Sequence, residues 1–534
     1  QIDTFKQMGY GGFHMHARAG LITPYLSDEF MQRVRDCCEK AQKEGLYAWL
    51  YDEDRYPSGP AGGIVTRNPE YTRRYLRFTA YSYEEDVEYT VPQRGFARNP
   101  QGELLARYTV QLDEKGDLLS YRRLAAEETA ADVWYLYFEK QPATTDEEQT
   151  YVDTLNPEAI QEFARVTYDR YKETVGDFFG NVSPAIFTDE PQYASMGELA
   201  YAKEKGDVIL PWSNGFGEAF LQKEGFDLLD YMPELIWNLP QGEASRARYL
   251  YHDFLSERFA ASFCDTLGGW CERNGIMFTG HIMGEGTLKG QAAIGGEMMR
   301  NYRAFHIPGI DVLGRHKLEF TTAKQCQSAV RQQGSVGMMS ELYGVSGWDF
   351  DFRGYKLQGD WQAAMGVTLR VPHHALYTFN GESKRDYPAS ISYQNAWAGQ
   401  YYQIEDHFAR VNVALTKGMP VVRIAVVHPM ESVWLHMGPN DRSAAVLAQY
   451  EKNFEELIHT LSHGFQDFDF LSEARLPQLC EQGGAPLRVG QMAYDVVIVP
   501  GLETMRSTTL GRLEAFWQAG GRLIFMGTAP QFVD

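Results

Sequence analysis

Seven short apolar segments recur through the first 374 residues, and nearly all end on His, Asp or Glu. They are GGFHMH (11–16), YAWLYDE (47–53), PAIFTDE (184–190), MFTGH (277–281), IDVL (310–313), VGMMSE (336–341) and LRVPHH (369–374). Amphipathic helical stretches separate them, among them 28–45, 157–176 and 256–275. This β–α alternation predicts a parallel sheet covered by helices. Polar residues at the same end of each strand place a site along one sheet edge. A (β/α)8 barrel has that organisation, with its chemistry at the C-terminal face; an open doubly wound sheet is the alternative. Seven strands are one short of a barrel. IDTFKQMGY (2–10) reads as the end of a helix following a first strand that lies before residue 1. In that count FTDE closes the fourth strand and SE the seventh.

Two further blocks interrupt or follow this pattern. ELLARYTVQLDEKGDLLSYRRL (103–123) is a pair of alternating runs around a polar turn, a β-hairpin. It predicts a β-rich insertion over 71–150, within a barrel formed by 1–70 and 151–418. From 419 onward, VVRIAVVHP (421–429), YDVVIVPGLETM (494–505) and RLIFMG (522–527) are near-continuous apolar strands, separated by helices at 445–464 and 509–521. That is the pattern of an open, flavodoxin-like α/β sheet. It contains no glycine-rich phosphate loop, so a packing or self-association role is expected rather than nucleotide binding. The sheet reads as unfinished at the final FVD.

Composition narrows the partners. The chain has 534 residues, room for two or three domains. Its net charge of −21 repels nucleic-acid phosphates and anionic lipid, so a neutral substrate is expected. Aromatic residues reach 13%, with 32 Tyr and 10 Trp, suited to stacking on flat apolar ligand faces. Six cysteines without CxxC spacing read as reduced thiols, and no apolar run approaches the length of a membrane span. A cytoplasmic location in a bacterium is the expectation, with secretion or the periplasm as alternatives if sequence precedes Gln1.

The strand ends carry the chemistry. Cleaving a glycosidic bond takes one carboxylic acid to protonate the leaving oxygen and one carboxylate to attack or to activate water. Glu190 and Glu341 end strands four and seven and are the expected pair. Glu285, in TGHIMGEG (279–286), is the rival second carboxylate. Asp189 and Glu190 are adjacent, so on an extended strand they face opposite ways; Asp189 is expected to be structural or to hydrogen-bond another site residue. His14, His16, Asp52, Arg55, His281, Tyr343, Trp348 and His374 are the candidate substrate-binding residues. Arg18 follows His14 and His16 in the same alternation, and one of His373 and His374 should face the site. His14-x-His16 also suggests a metal, but no third nitrogen ligand follows. There is no GxSxG, no Cys/His signal and no phosphate loop.

Taken together, GGFHMHARAGLITPYLS, LYDEDRYPSGPAGG, LNPEAI…FTDEP and TGHIMGEG…IPGIDVLG resemble bacterial glycoside hydrolases of the α-L-rhamnosidase type, family 106 and its relatives. The order of barrel then flavodoxin-like unit is similar to that of family 42 β-galactosidases. The resemblance implies removal of a terminal sugar from a glycan. By position Glu190 matches the acid/base on strand four and Glu341 the carboxylate on strand seven. It also implies inversion and a bound calcium, in which case Glu285 or Glu341 activates water while Asp189, or Glu285, helps hold the cation. No other cofactor is implied. A retaining β-galactosidase-like enzyme, a metal-dependent hydrolase and a non-catalytic carbohydrate-binding barrel are the alternative readings.

Overall fold

The computed structural model describes residues 1–18, 20–84, 96–142, 150–315 and 317–534, with the side chain of Glu382 set aside. Seven strands form one parallel sheet: β1 (Gly12–Met15), β2 (Tyr47–Tyr51), β3 (Ala185–Thr188), β4 (Met277–Gly280), β5 (Ile307–Val312), β6 (Met339–Leu342) and β7 (Leu369–Pro372). Each pairs with the next in sequence, and β1 and β7 are the edges. The sheet curls until these edges approach each other. Arg18, just past β1, reaches His373, just past β7, at 3.1 Å. Gln1 likewise donates to the Ala375 carbonyl. The result is a TIM-barrel-like, curled parallel sheet of seven strands.

Strand alternation fills its interior. Trp49, Tyr51, Ala185, Phe187, Ile307 and Met339 form one buried cluster, with Met277, Leu369 and Val371 against it. These positions are two residues apart on their strands and share one face of the pleat. Continued two or four residues further, the same columns arrive at Asp189, His281, Asp311, Glu341 and His373. The site is therefore the uppermost layer of the barrel interior.

The strand ends expected at the two glutamates both shift. β3 stops at Thr188, so Glu190 lies beyond the strand. β6 begins at Met339 and runs through Glu341 to Leu342, so Glu341 lies within the strand. The helix expected at 28–45 spans Asp28–Glu44, capped by the Ser27 hydroxyl and ended by Gly45 at φ 71°. The two long helices each contain a wider π-helical turn, at Ala164–Tyr168 and Ala260–Asp265, and the second starts at Arg246.

The hairpin is present as Glu103–Leu112 with Leu118–Arg123. It belongs to a five-stranded antiparallel sheet that also holds Val133–Lys140, Arg74–Thr79 and Asp207–Pro211. The last of these lies outside the expected 71–150 insertion. It pairs along Arg74–Thr79, and the buried Arg77 ties the join by bonding both Glu139 and Asp207 at 2.8 Å. The sequence reading missed this strand because DVILP is too short to show alternation. Residues 85–95 and 143–149 of the expected insertion lie outside the described residues.

A second parallel sheet follows, in the order Phe468–Leu471, Ile424–Val427, Val496–Val499, Arg522–Phe525. That 2-1-3-4 order is the one flavodoxin-like sheets use. Helices Asn440–His463 and Ser507–Gln518 flank it. Among the described residues no helix is long and apolar enough to cross a membrane.

Candidate active site

The centre of the site is His281. It follows Gly280, whose φ is 135° and whose missing side chain allows close approach to β3: a Cβ there would sit 2.0 Å from the Thr188 carbonyl oxygen. Only glycine fits. The imidazole Nε2 lies 2.9 Å from Glu341 Oε2 and 3.5 Å from Asp189 Oδ1. Burial lowers the affinity of this imidazole for a proton. The hydrogen bond to Glu341 and the charges of Asp189, Glu341 and Asp311 outweigh it and hold the pKa well above the usual value. His281 is an imidazolium in a ring of acids.

Asp189 takes the inward position that alternation assigns it. Its Oδ2 accepts from Tyr51 Oη at 2.5 Å, and its backbone N–H donates to Ser58 Oγ. Glu190 enters the same cavity by another route. Its backbone is left-handed, φ 45°, which ends the alternation and turns the side chain back. The expected opposition of the two acids is thus overcome by one backbone dihedral. An oxygen of Glu190, an oxygen of Asp311 and a ring nitrogen of His281 lie within 4.8 Å of one another, as do Asp189, Glu341 and His281.

Asp311 is the residue the sequence reading missed. It pairs in register with Glu341 across β5 and β6. Its signal was present, a lone acid inside the apolar run IPGIDVL, two residues before the strand's apparent end. Burial, then the charges of Glu341 and Asp189, push its carboxyl up to about 8. Burial, then Asp189, push Glu190 up to about 7, and the charge of Asp311 adds to this. Burial and Asp189 also raise Glu341, against the hydrogen bond from His281. The second wall of Glu341 is His373, whose Nε2 is 3.5 Å from Oε1.

The remaining predicted residues divide. His14 stacks on Trp49 and His16 on Tyr51, inside the barrel and beneath the carboxylates. Burial leaves both imidazoles neutral. Neither belongs to the two trios around His281. Glu285 is buried, accepts from Tyr302 Oη at 3.2 Å and feels the charges of His281 and Asp311. It too lies outside both trios, so its expected place among calcium ligands is not supported by their geometry. Arg55 is half-exposed, 3.8 Å from Asp54. Trp348 is 44% exposed and meets Phe379 edge-on at the rim.

Three expectations are corrected. Asp52 is wholly buried, with Ser58 Oγ at 2.6 Å and Tyr168 Oη at 2.7 Å on its two oxygens, so it anchors the loop after β2 and is closed off from substrate. Tyr343 is core: its hydroxyl donates to the Tyr355 carbonyl, because the chain turns at φ 76° once β6 ends. His374 faces Asp386 at 3.7 Å, while His373 takes the inward position beside Glu341 and Arg18. Arg18 is bound at two points by Asp386 and lies over the rings of Tyr56 and Tyr387. Asp52→Ala strands two buried hydroxyls and is expected to cost about 1–3 kcal/mol. Urea denaturation measures it; unchanged stability with a raised KM would return Asp52 to the substrate.

No protein-family model matches the chain. Over 332 residues, 60% of this chain, it is 22% identical to a protein from Formosa agariphila described as a putative beta-glucuronidase. The match covers 26% of that curated relative, so the chain spans about a quarter of its length. In three dimensions the chain is similar to a rhamnosidase from Novosphingobium sp. PP1Y, with a TM-score of 0.65 and 14% identity over 100% of this chain and 67% of that one. It is also similar to a beta-galactosidase from Bacillus circulans sp. alkalophilus, with a TM-score of 0.57 and 13% identity over 100% and 69%. The fold is that of these glycoside hydrolases. The resemblance carried by the strand-end motifs therefore holds at the level of architecture, and the acids described above stand at the barrel face where such folds place their chemistry.

Proposed function

We propose that the protein is a glycoside hydrolase that removes a terminal sugar, of the α-L-rhamnosidase type. The observation that carries this reading is the pairing of Glu190 and Glu341 around one imidazolium in unlike surroundings. Glu190 is raised to about 7 by burial and by Asp189, which leaves it able to donate a proton at neutral pH. Glu341 is held against His281 at 2.9 Å, and that hydrogen bond favours its ionised form against the burial and the Asp189 charge that raise it. In this scheme Glu190 protonates the departing oxygen while Glu341 attacks the anomeric carbon, or takes a proton from water if the enzyme inverts. Asp189 keeps His281 charged and fixed. Trp348 and Phe379 offer a face for the ring or leaving group.

The resemblance to family 106 brings calcium with it. The donor set suits a hard cation: four carboxylates converge on His281, and among the described residues Asp311 Oδ1 is buried with no hydrogen-bond partner. Asp189 and Asp311 are the residues we assign to hold it, which leaves Glu341 free to act on the sugar. Bound there, the ion would offset the excess negative charge and bind sugar hydroxyls.

A uronide substrate, which the name of the Formosa agariphila protein suggests, is disfavoured by charge. The Arg18 guanidinium, which a uronate carboxylate would need, is already bound at two points by Asp386. A screen of nitrophenyl glycosides, with and without added calcium, tests the reading. Cleavage of the α-L-rhamnoside is expected, with the β-D-galactoside second and the β-D-glucuronide inert. Turnover of the glucuronide alone would overturn the substrate class. Inactivity across the whole screen would favour a carbohydrate-binding barrel.

A further inference from the structure

The loop after β4, residues 281–286, carries two of the site's titratable groups, His281 and Glu285, on a backbone with glycines at 284 and 286. Something must hold it still. Its anchor is the Glu285 carbonyl oxygen, which accepts from Gln291 Nε2 at 3.2 Å and Gln325 Nε2 at 3.3 Å. Gln291 Nε2 also donates to Gln325 Oε1 at 2.9 Å. The next link comes from the second sheet: His428 Nε2 lies 2.7 Å from the same Gln325 Oε1. Gln291 and Gln325 are wholly buried, and His428 is 2% exposed.

The direction of each bond is fixed. Gln325 donates through Nε2 to a carbonyl, which has no hydrogen, so its Oε1 can only accept. His428 must then carry its proton on Nε2. Burial lowers the histidine's pKa to about 4, so it is neutral, with one proton and one assignment for it. The ring cannot turn away, because Phe454 and Phe470 meet it edge-on at 5.4 and 5.5 Å. His428 itself follows the strand Ile424–Val427, and its backbone N–H is tied to the Leu471 carbonyl. A second tie is independent of the first. Glu451, on the helix Asn440–His463, accepts from the Lys289 backbone N–H at 3.0 Å and so caps the short helix that carries Gln291.

We propose that the second α/β unit is a working part of the active site: His428, acting through Gln325, is a positioning residue for the 281–286 loop. The unit's role is then to hold catalytic geometry, beyond the packing or self-association read from its sequence. This rests on the glycosidase reading for its kinetic arm alone.

The test compares His428→Ala with His428→Gln, whose side-chain amide can donate to the same oxygen. Hydrogen exchange across 281–286 and steady-state kinetics on the best substrate of the screen are both read. In His428→Ala the loop amides are expected to exchange about tenfold faster. Its kcat should fall about ten- to a hundredfold with KM within threefold, since small displacements of reacting groups cost that much. His428→Gln should restore both. Should His428→Ala fail to fold, Gln325→Met cuts the link from the barrel side and is read in the same way. Unchanged exchange in a folded variant, or faster exchange with wild-type kcat, overturns the proposal. If no glycoside is turned over, the functional reading falls, and the exchange experiment still decides whether His428 fixes the loop.

Discussion

Glu341→Gln is expected to lower kcat by about 10⁴-fold, the upper end of what a positioned acid–base group supplies. The substitution keeps the size of the side chain and an oxygen to face His281, so the fold should survive. What it removes is the negative charge at the point where positive charge develops on the sugar, and the lone pair that attacks or activates water. It also removes one of the two close anions that keep His281 protonated, the other being Asp189 at 3.5 Å. The measurement is kcat on an activated nitrophenyl glycoside, with circular dichroism to show the variant is folded. Residual activity within tenfold of wild type would transfer the role to Glu285, the other buried glutamate within reach of the charges of His281 and Asp311.

Glu190→Gln should cost about 10³-fold on a glycoside with a poor leaving group and much less on a nitrophenyl substrate, whose leaving group needs no proton. That contrast separates an acid from a nucleophile. The pH dependence carries a second signature. A general acid works while protonated, so activity is present below its pKa and lost above it. With Glu190 raised to about 7 and Asp311 to about 8, kcat/KM should fall as pH rises through that window. The charge of Asp311 raises Glu190, so Asp311→Asn should shift the limb and Glu190→Gln should abolish it on the activated substrate. An alkaline limb unchanged in Glu190→Gln would assign the titration, and the proton donor, elsewhere.

The division between what was legible in the chain and what was not follows a physical line. Individual strands and helices announce themselves locally, through apolar runs, periodicity and caps such as Ser27 and Gly45. The two glutamates were legible because each stands at or beside the polar end of an apolar strand. Asp311 stood in the same position and was missed, because one acid within IPGIDVL reads as a strand interior until its neighbour is known. Asp52, Tyr343 and His374 were read as substrate-facing because they are polar or aromatic and sit at strand ends. Their true partners, Ser58 and Tyr168, Tyr355, and Asp386, lie on loops and helices whose approach no local pattern encodes.

The sequence alone determined that the chain builds parallel sheets with acids and imidazoles gathered at one edge, since strand alternation and helix periodicity are properties of neighbouring residues. Only the tertiary structure decided which of those acids share a cavity. That choice depended on a left-handed backbone at Glu190, on the absence of a side chain at Gly280, and on the curl that brings β7 back beside β1. Each is settled by contacts between segments tens to hundreds of residues apart, where the energy of packing outweighs the preference of any single residue.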